Sequence, residues 1–300
     1  MKILVTGVSG QVGWELTRSL SVLGEVIAAD RTMLDLSNPA TLRERLIQIR
    51  PDVVVNAAAY TAVDKAEGDE PLATTVNSEA VGELAKSARD VGALFVHYST
   101  DYVFDGTKLG PYLETDTPCP INAYGRSKLK GEIATKEAGG DWLVLRTTWV
   151  YTDRGANFLR TMLRLAGSRE ELRVVGDQFG APTWARSIAD GTAHIVAAAQ
   201  AERRAGAFQS QLLHMTARGS TSWHGFADAI IARARHLQPE VGFPVKRVVA
   251  IETSEYPLPA PRPANSLLSN DALHARFGIQ LPVWDVGMQL CLDNLLAISR

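Results

Sequence analysis

The 300-residue sequence is poor in the features that mark secreted and membrane proteins. It has only two cysteines, Cys119 and Cys291, which lie far apart and form no CxxC pair. We expect free thiols in a reducing compartment, because a disulfide framework needs several paired cysteines. The uncharged stretch Val53–Val63 is shorter than the roughly 20 residues of a membrane helix, and Met1–Gly7 is too short for a signal peptide. These absences predict a cytoplasmic protein that does not enter a membrane.

An excess of charge of one sign is missing as well. The chain carries 31 Lys and Arg against 33 Asp and Glu, so its formal net charge is −2, and it has no run of five basic residues. This balance argues against nucleic-acid binding and against a polybasic membrane patch. The six histidines are scattered without an HxxxH spacing, so they predict no metal site.

The first half of the chain instead shows a regular alternation of strand-like and helix-like segments. Strands are predicted at Lys2–Thr6, Val26–Ala29, Val53–Ala59, Leu94–Ser99 and Trp142–Arg146, and helices at Val12–Leu23, Ser37–Arg50, Pro71–Asp90 and Ala123–Glu137. This alternation predicts an α/β fold, with a Rossmann-type doubly wound parallel sheet over residues 1–150.

The alternation loosens in the second half of the chain. Helices are predicted at Asn157–Ala166, Ala185–Ala199, Trp223–Arg235 and Asp285–Ala297, with a short strand at Leu172–Val175. We expect a smaller mixed α/β substrate domain over residues 151–300, partly interleaved with the first domain.

A glycine-rich turn separates the first strand from the first helix. Gly7, Gly10 and Gly13 form a GxxGxxG pattern there. Glycine gives the backbone the freedom that a tight turn needs, and the exposed N–H groups of the helix N-terminus can then approach a pyrophosphate. The position of the pattern, directly after an opening strand, therefore indicates a dinucleotide site.

The second strand ends at Asp30, 20 residues after Gly10, with Arg31 beside it. A carboxylate there accepts hydrogen bonds from the ribose hydroxyls of NADH, whereas an arginine can pair with the 2′-phosphate of NADPH. The two residues favour opposite cofactors, so the choice between NADH and NADPH stays open. Farther along, the small residues from Asn56 to Ala59 would let a cofactor lie flat across the strand ends.

Tyr124 and Lys128 are spaced so that they share one face of a predicted helix. A free tyrosine titrates near ~10, and an adjacent ammonium would lower its pKa by stabilising the phenolate. Thr100 lies 24 residues upstream, after the strand that carries Tyr98 and Ser99. Because ligands bind at the carboxyl ends of such strands, this hydroxyl could complete an acid–base set with the pair.

The glycine turn, the NAAAYT segment, Thr100 and Tyr124-xxx-Lys128 together resemble the extended short-chain dehydrogenase/reductase family. The likeness narrows to sugar-nucleotide reductases because several segments follow in order along the chain: LVTGVSGQVGWEL, RPDVVVNAAAYTAVDKAE, HYSTDYVFDG, NAYGRSKLKGE, LRTTWVY, DQFGAPTWA and RPANSLL. The resemblance implies NAD(P)H-dependent reduction of the C4 ketone of dTDP-4-dehydro-L-rhamnose to dTDP-L-rhamnose, the last step in making that sugar nucleotide.

The resemblance, together with the residues argued above, also assigns the site. The expected catalytic residues are Thr100, Tyr124 and Lys128; the cofactor contacts are Gly7, Gly10, Gln11, Val12, Gly13, Asp30, Arg31, Asp35, Leu36, Ala59, Tyr60, Thr61, Tyr98, Tyr124 and Lys128; and the substrate contacts are Thr100, Asp101, Trp149 and Arg262. Tyr124 would protonate the ketone oxygen while Thr100 hydrogen-bonds it. Trp149 would offer a flat apolar face to the sugar, and the Arg262 guanidinium would meet the diphosphate.

One departure from the family concerns magnesium. Some members join subunits around Mg²⁺ held by glutamates, and Glu15 matches one of these positions. The other positions read Arg186 and Asn294, with Asp293 adjacent, and an arginine repels a divalent cation. We therefore expect no bound metal, with Glu15 a first-turn acid favoured by the helix dipole. The assembly is left as a monomer or a homodimer.

Two other functions remain open at this stage. The chain could be another sugar-nucleotide reductase or epimerase of the same fold, because fold alone does not decide the substrate. It could also be a non-catalytic NADP-binding regulatory subunit, as some relatives are. The intact hydroxyl–tyrosine–lysine set favours an enzyme.

Overall fold

A six-stranded parallel sheet forms the centre of the computed structural model, which describes residues 1–297. The strands are β1 (Lys2–Thr6), β2 (Glu25–Ala29), β3 (Val53–Asn56), β4 (Leu94–Thr100), β5 (Trp142–Thr147), β6 (Val150–Tyr151), β7 (Glu171–Val175), β8 (Phe179–Gly180), β9 (Thr183–Trp184), β10 (Gln211–His214), β11 (Thr221–Ser222) and β12 (Arg247–Ile251). The sheet has the order β10-β5-β4-β3-β1-β2, and each neighbouring pair is parallel.

Helices cover both faces of this sheet. They are α1 (Gln11–Ser19), α2 (Leu42–Ile49), α3 (Val63–Ala66), α4 (Glu70–Thr74), α5 (Ala80–Asp90), α6 (Ala123–Ala138), α7 (Phe158–Ala166), α8 (Ala185–Arg204), α9 (Trp223–Leu237), α10 (Asp271–Phe277) and α11 (Trp284–Ala297). Hydrophobic clusters form on the two sheet faces, and every residue of β3 and β4 is buried. The predicted doubly wound fold is confirmed, and burial on both faces explains why these strands show no polar alternation.

Most predicted elements of the first half are present, with shifted ends. The strand expected over Val53–Ala59 ends at Asn56, and the helix expected to reach Leu23 ends at Ser19. The helix expected over Pro71–Asp90 contains a π-helical segment, Thr75–Glu79, between α4 and α5. The carboxyl ends of β1, β2, β3, β4 and β5 all meet at one edge of the sheet, where most of the expected site residues follow.

Parts of the second half of the chain pack against the first half. Helix α8 packs on α1, and β10 pairs with β5 as the outermost strand of the central sheet. The sequence analysis missed β10, β12 and α10, because runs such as Gln211–His214 are short and carry no clear period. A separate core joins α7, α9 and α11 with β7. The division into 1–150 and 151–300 stays a prediction, and residues 298–300 lie outside the described residues.

Candidate active site

The glycine turn after β1 has a geometry that only glycine allows. Gly7 has φ +71°, and a Cβ on it would lie 2.5 Å from the Ala58 backbone nitrogen. A Cβ on Gly13 would lie 2.1 Å from the Gly7 carbonyl oxygen. The turn is therefore held against the end of β3 and against α1 by contacts between backbones, which leaves its outer side clear for a ligand.

The N-terminus of α1 is suited to bind an anion. Gly10 occupies the N-cap position and supplies no side-chain hydrogen bond, so the first N–H groups of the helix lack a capping partner. The Gln11 side-chain oxygen is buried and has no hydrogen-bond partner among the described residues. An open helix N-terminus beside a glycine cradle fits the diphosphate of a dinucleotide, with Gln11 and Val12 as its first residues.

Asp30 and Arg31 lie at the end of β2, on the same sheet edge. The Asp30 carboxylate accepts hydrogen bonds from Thr32 N at 2.9 Å and from the Thr32 hydroxyl at 2.6 Å. The Thr32 hydroxyl, followed by the Met33 N–H, holds the pKa of Asp30 below its ordinary value. Arg31 is largely exposed, with its Nε 3.8 Å from the carboxylate of Asp35, while Leu36 is buried. The structure therefore leaves both cofactor choices open.

The segment that follows β3 is fixed by a residue that the sequence analysis missed. Asn77, in the π-helical segment, accepts a hydrogen bond from Tyr60 N at 2.8 Å and donates to Tyr60 O at 3.0 Å. Its amide also donates to Ser127 Oγ at 2.9 Å. Ala59 is partly buried and Thr61 is exposed. Asn77 thus ties the cofactor-side loop to the helix that carries Tyr124, and the only sequence clue was its position within a long predicted helix.

Thr100 and Tyr124 come together at the carboxyl edge of β4. Asn122 caps α6 by accepting a hydrogen bond from Gly125 N at 2.8 Å, which places Tyr124 in the first turn. Burial raises the pKa of Tyr124 above its ordinary value, although the Thr100 hydroxyl opposes the shift. The net shift is thus upward, whereas the sequence analysis expected a lowered pKa, and the effect expected from Lys128 stays a prediction. The phenol is protonated at neutral pH, which is the form that can donate a proton, but the raised pKa makes it a weaker acid than a free tyrosine.

Lys128 extends from α6 to the backbone of β4. Its Nζ donates to the Tyr98 carbonyl oxygen at 2.6 Å, and burial lowers the pKa of Lys128 to about 8. The Tyr98 hydroxyl lies 2.6 Å from Thr192 Oγ1 on α8. Tyr98 therefore acts on Lys128 through its backbone carbonyl, while its side chain packs into the core.

Asp101 is the buried carboxyl group of the site. Burial raises the pKa of Asp101 to about 6, although the hydroxyls of Ser266, Thr100 and Thr148 oppose the shift. The Thr100 hydroxyl donates to Asp101 Oδ1 at 3.1 Å. Thr147 is paired in register with Thr100, and its buried hydroxyl has no partner among the described residues. Thr147 is a second polar group that sequence reasoning missed.

Trp149 lies just beyond β5 and has a left-handed backbone, with φ +45°. Trp223 stacks on its ring with 3.5 Å between centroids and an interplanar angle of 8°. A Cβ on Gly180 would lie 2.5 Å from Cε2 of the indole and 2.8 and 2.9 Å from Cδ2 and Cζ2, which puts Gly180 directly above the ring. The stacked Trp223 would occupy that same space, so it lies on the opposite face.

Both faces of Trp149 are consequently covered. The antiparallel pairing of β8 with β11 brings Gly180 beside Thr221, and Trp223 follows as the first residue of α9. The expectation that Trp149 offers a flat face to a sugar is wrong in this structure, because only the ring edge is left free. A non-glycine residue in a left-handed conformation needs support from its surroundings, which the two neighbours supply.

Arg262 lies in the wall of a cavity of about 860 Å³. The cavity is also lined by Tyr102, Phe158, Gln178 and Trp223. The guanidinium of Arg262 makes two 2.8 Å contacts with the Asp64 carboxylate. The structure thus brings Arg262 to the expected region, but with its charge already paired.

Glu15 is not the first-turn acid that the sequence predicted. It lies in the middle of α1, is 2% exposed, and pairs with Arg186 and Arg18, each through Nε at 3.2 Å. The Asp293 carboxylate is taken by Arg233 at 2.7 Å. Within residues 1–297, no three His, Cys, Asp or Glu side chains are grouped to hold a metal. Arg186 therefore supplies to Glu15 the positive charge that a metal would supply.

No helix within residues 1–297 combines the length and the apolar character that crossing a membrane requires.

Comparisons with known proteins agree with this geometry. The model of the RmlD substrate binding domain family matches residues 1–297. A dTDP-4-dehydrorhamnose reductase of Burkholderia thailandensis is 63% identical over 297 residues, which is 99% of this chain and 100% of that protein.

Two solved structures cover almost the whole chain. The crystal structure of a dTDP-4-dehydrorhamnose reductase from Clostridium acetobutylicum has a TM-score of 0.89 at 37% identity and covers 99% of this chain and 100% of its own. The Bacillus anthracis dTDP-4-dehydrorhamnose reductase in complex with NADP has a TM-score of 0.86 at 32% identity, with 98% and 99% covered.

Proposed function

This chain belongs to the family of the RmlD substrate binding domain, and we propose that it is an NAD(P)H-dependent dTDP-4-dehydrorhamnose reductase. The reaction is reduction of the C4 ketone of dTDP-4-dehydro-L-rhamnose to dTDP-L-rhamnose. The observation that carries the proposal is the placement of Thr100, at the carboxyl end of β4, and Tyr124, in the first turn of α6, at the sheet edge that also holds the glycine turn. Two relatives called dTDP-4-dehydrorhamnose reductase, which match this chain over almost its full length, support the proposal.

The cofactor site fits a nicotinamide dinucleotide. Gly7, Gly10 and Gly13 would leave room for the diphosphate, and the open N-terminus of α1 would bind its charge. The unpartnered Gln11 oxygen would gain a hydrogen bond there. When bound, the reduced nicotinamide supplies the hydride, which is chemistry that the side chains cannot provide.

Tyr124 would act as the proton donor. Negative charge grows on the ketone oxygen as C4 is reduced, and a hydroxyl aimed at that oxygen stabilises the charge. Burial keeps the Tyr124 phenol protonated by raising its pKa. Thr100 would hydrogen-bond the same oxygen, and Lys128 would hold ribose hydroxyls and balance the charge left on the phenol.

The substrate would lie between Asp101, the edge of Trp149 and Arg262. A guanidinium matches the geometry of a phosphate, so Arg262 would exchange its pairing with Asp64 for the diphosphate of the sugar nucleotide. The apolar walls of the adjoining cavity would receive the base. We further propose a cytoplasmic protein that acts as a monomer or a homodimer on a small molecule, without nucleic acid or membrane.

An assay on purified protein tests the proposal. The protein is mixed with dTDP-4-dehydrorhamnose and with NADH or NADPH at equal concentrations. Oxidation of one cofactor, matched mole for mole by dTDP-L-rhamnose, is expected. Product without net oxidation would indicate an epimerase instead, and binding of NADP without turnover would indicate a regulatory subunit.

A further inference from the structure

Three buried side chains form a row behind the active site. Asn56 Nδ2 lies 3.1 Å from His97 Nδ1, and His97 Nε2 lies 3.3 Å from Lys128 Nζ. Asn56 and His97 are fully buried, and Lys128 is 2% exposed. The hydrogen positions along this row can be worked out from the donors and acceptors at its ends.

The Asn56 amide has one acceptable orientation. Its oxygen accepts hydrogen bonds from Ala58 N at 3.2 Å and from the Thr6 hydroxyl at 2.6 Å. The backbone N–H of Ala58 can only donate, so the amide oxygen must face it. The Asn56 NH₂ group therefore points at His97, and His97 Nδ1 must accept.

This orientation decides the tautomer of His97. Burial holds the pKa of His97 well below its ordinary value and outweighs the raising effect of the Asn56 backbone, so the ring is neutral. A neutral ring that accepts at Nδ1 carries its hydrogen on Nε2. That N–H faces Lys128 Nζ. An ammonium has no lone pair, so it cannot accept this hydrogen bond and its own hydrogens would repel the ring N–H. A neutral amine has a lone pair and can accept it.

We propose that His97 is a positioning residue that destabilises the ammonium of Lys128 in the cofactor-free protein, so that at alkaline pH cofactor binding is coupled to uptake of a proton by Lys128. Besides its contact with the His97 ring, the ammonium has one hydrogen-bond acceptor within residues 1–297, the Tyr98 carbonyl oxygen. Ribose hydroxyls would add acceptors and favour the charged form. This part of the inference rests on the proposed cofactor, whereas the tautomer of His97 does not.

The other charges around Lys128 do not supply the missing acceptor. Glu132 lies one turn along α6, but Arg146 holds both of its oxygens at 2.8 and 2.7 Å, and Ser99 Oγ donates to it at 2.5 Å. Tyr124 stays protonated because burial raises its pKa. Glu132 still raises the pKa of Lys128, but burial outweighs it and brings the value down to about 8.

The pH dependence has a definite sign. A complex that stabilises the ammonium has a higher Lys128 pKa than the free protein. Below about pH 8 both forms are charged and no proton is taken up, whereas above it binding requires uptake of up to about one proton per site. Cofactor affinity should therefore weaken as pH rises above about 8, by up to tenfold per unit.

Nitrogen NMR of histidine-labelled protein without cofactor tests the tautomer directly. We expect the His97 ring to show a pyridine-like Nδ1 and an N–H at Nε2, and these signals should be the ones that disappear in His97→Gln. A hydrogen on Nδ1, or a charged ring near neutral pH, would overturn the proposal.

Calorimetry of NADPH binding in two buffers of different ionisation enthalpy measures the proton uptake. At about pH 9 we expect uptake in the wild type, none in Lys128→Met, and reduced uptake in His97→Gln, because a glutamine can turn its oxygen towards the ammonium. The exposed His236→Gln should behave as wild type. Binding without uptake in the wild type contradicts the coupling, whereas a failure to bind any nicotinamide cofactor contradicts the proposed function and leaves the tautomer result standing.

Discussion

At the glycine turn, the N-terminus of α1 and the Gln11 side-chain oxygen lack a partner within the described residues, whereas Arg262 and Trp149 on the substrate side are already held by their neighbours. The N-terminus of α1 has no side-chain cap, and the buried Gln11 side-chain oxygen is without a hydrogen-bond partner among the described residues. Arg262 instead pairs with Asp64, and Trp149 is stacked between Gly180 and Trp223. The comparison suggests that one side is a preformed cradle and the other exchanges internal contacts for substrate contacts.

The largest expected effect lies where the two sides meet. Tyr124→Phe removes the proton donor but keeps the ring, so kcat should fall by ~10²–10⁴-fold, with the KM for the sugar nucleotide little changed. Tyr151→Phe is the control, because its buried hydroxyl has no hydrogen-bond partner among the described residues and its loss should be harmless. Near-normal kcat in Tyr124→Phe would move the donor to Thr100 or Asp101.

The preformed cradle should be intolerant of a single methyl group. Gly7→Ala adds a Cβ 2.5 Å from backbone at φ +71°, whereas Gly92→Ala adds one in open space at φ +72°. The left-handed conformation costs both variants ~1–2 kcal/mol, and the clash should cost Gly7→Ala about 1–3 kcal/mol more. Denaturant unfolding and NADPH affinity measure the difference; equal losses in the two variants would show that the close approach is unimportant.

The same contrast explains what could be predicted from the sequence. Gly7 and Gly13 predict the glycine turn, because the positive φ at Gly7 and the close backbone contacts at both positions require glycine at a fixed spacing. The fold followed from buried strands such as β3 and β4, whose unbroken apolar runs are typical of a parallel sheet. Both signals lie within short segments of the chain, so the sequence alone predicts the turn and the parallel sheet.

Pairings across the chain could not be predicted in this way. Asp64 and Arg262 are 198 residues apart, and no spacing links Glu15 to Arg186 or Trp149 to Trp223. Strand β10 was missed because four residues carry too little periodicity. The charge of Lys128 also depends on burial and on the orientation of the Asn56 amide, which only the three-dimensional arrangement supplies.

Loss of the stacking between Trp223 and Trp149 should change the KM for the sugar nucleotide more than it changes kcat. Trp223→Leu removes one wall of the stack, so the strained backbone of Trp149 loses support and the ring edge moves. We expect the KM for the sugar nucleotide to rise by about tenfold, with a smaller change in kcat. The exciton-coupled circular dichroism of the stacked pair should disappear. Trp223→Phe should restore most of the KM, and Trp14→Phe, at an exposed tryptophan, should change neither.

The smallest expected effect tests whether the substrate side really exchanges contacts. Asp64→Asn keeps the shape of the side chain but removes the charge that holds Arg262. If Arg262 must leave Asp64 to reach the diphosphate, the variant should bind the sugar nucleotide about 2–5-fold more tightly, a gain of ~0.4–1 kcal/mol and within the range of a partly exposed ion pair. Arg262→Ala should weaken binding instead.

A matched ion pair separates this exchange from a general effect of lost charge. Arg276 and Glu202 pair at 2.6 Å with exposed fractions of 15% and 28%, close to the 15% and 38% of Arg262 and Asp64, and neither residue lines the cavity. Glu202→Gln should therefore leave the KM unchanged. Weaker binding in Asp64→Asn would instead mean that the carboxylate orients Arg262 for the diphosphate, because the guanidinium then needs its partner to stay in position. The substrate side would in that case be as preformed as the glycine cradle.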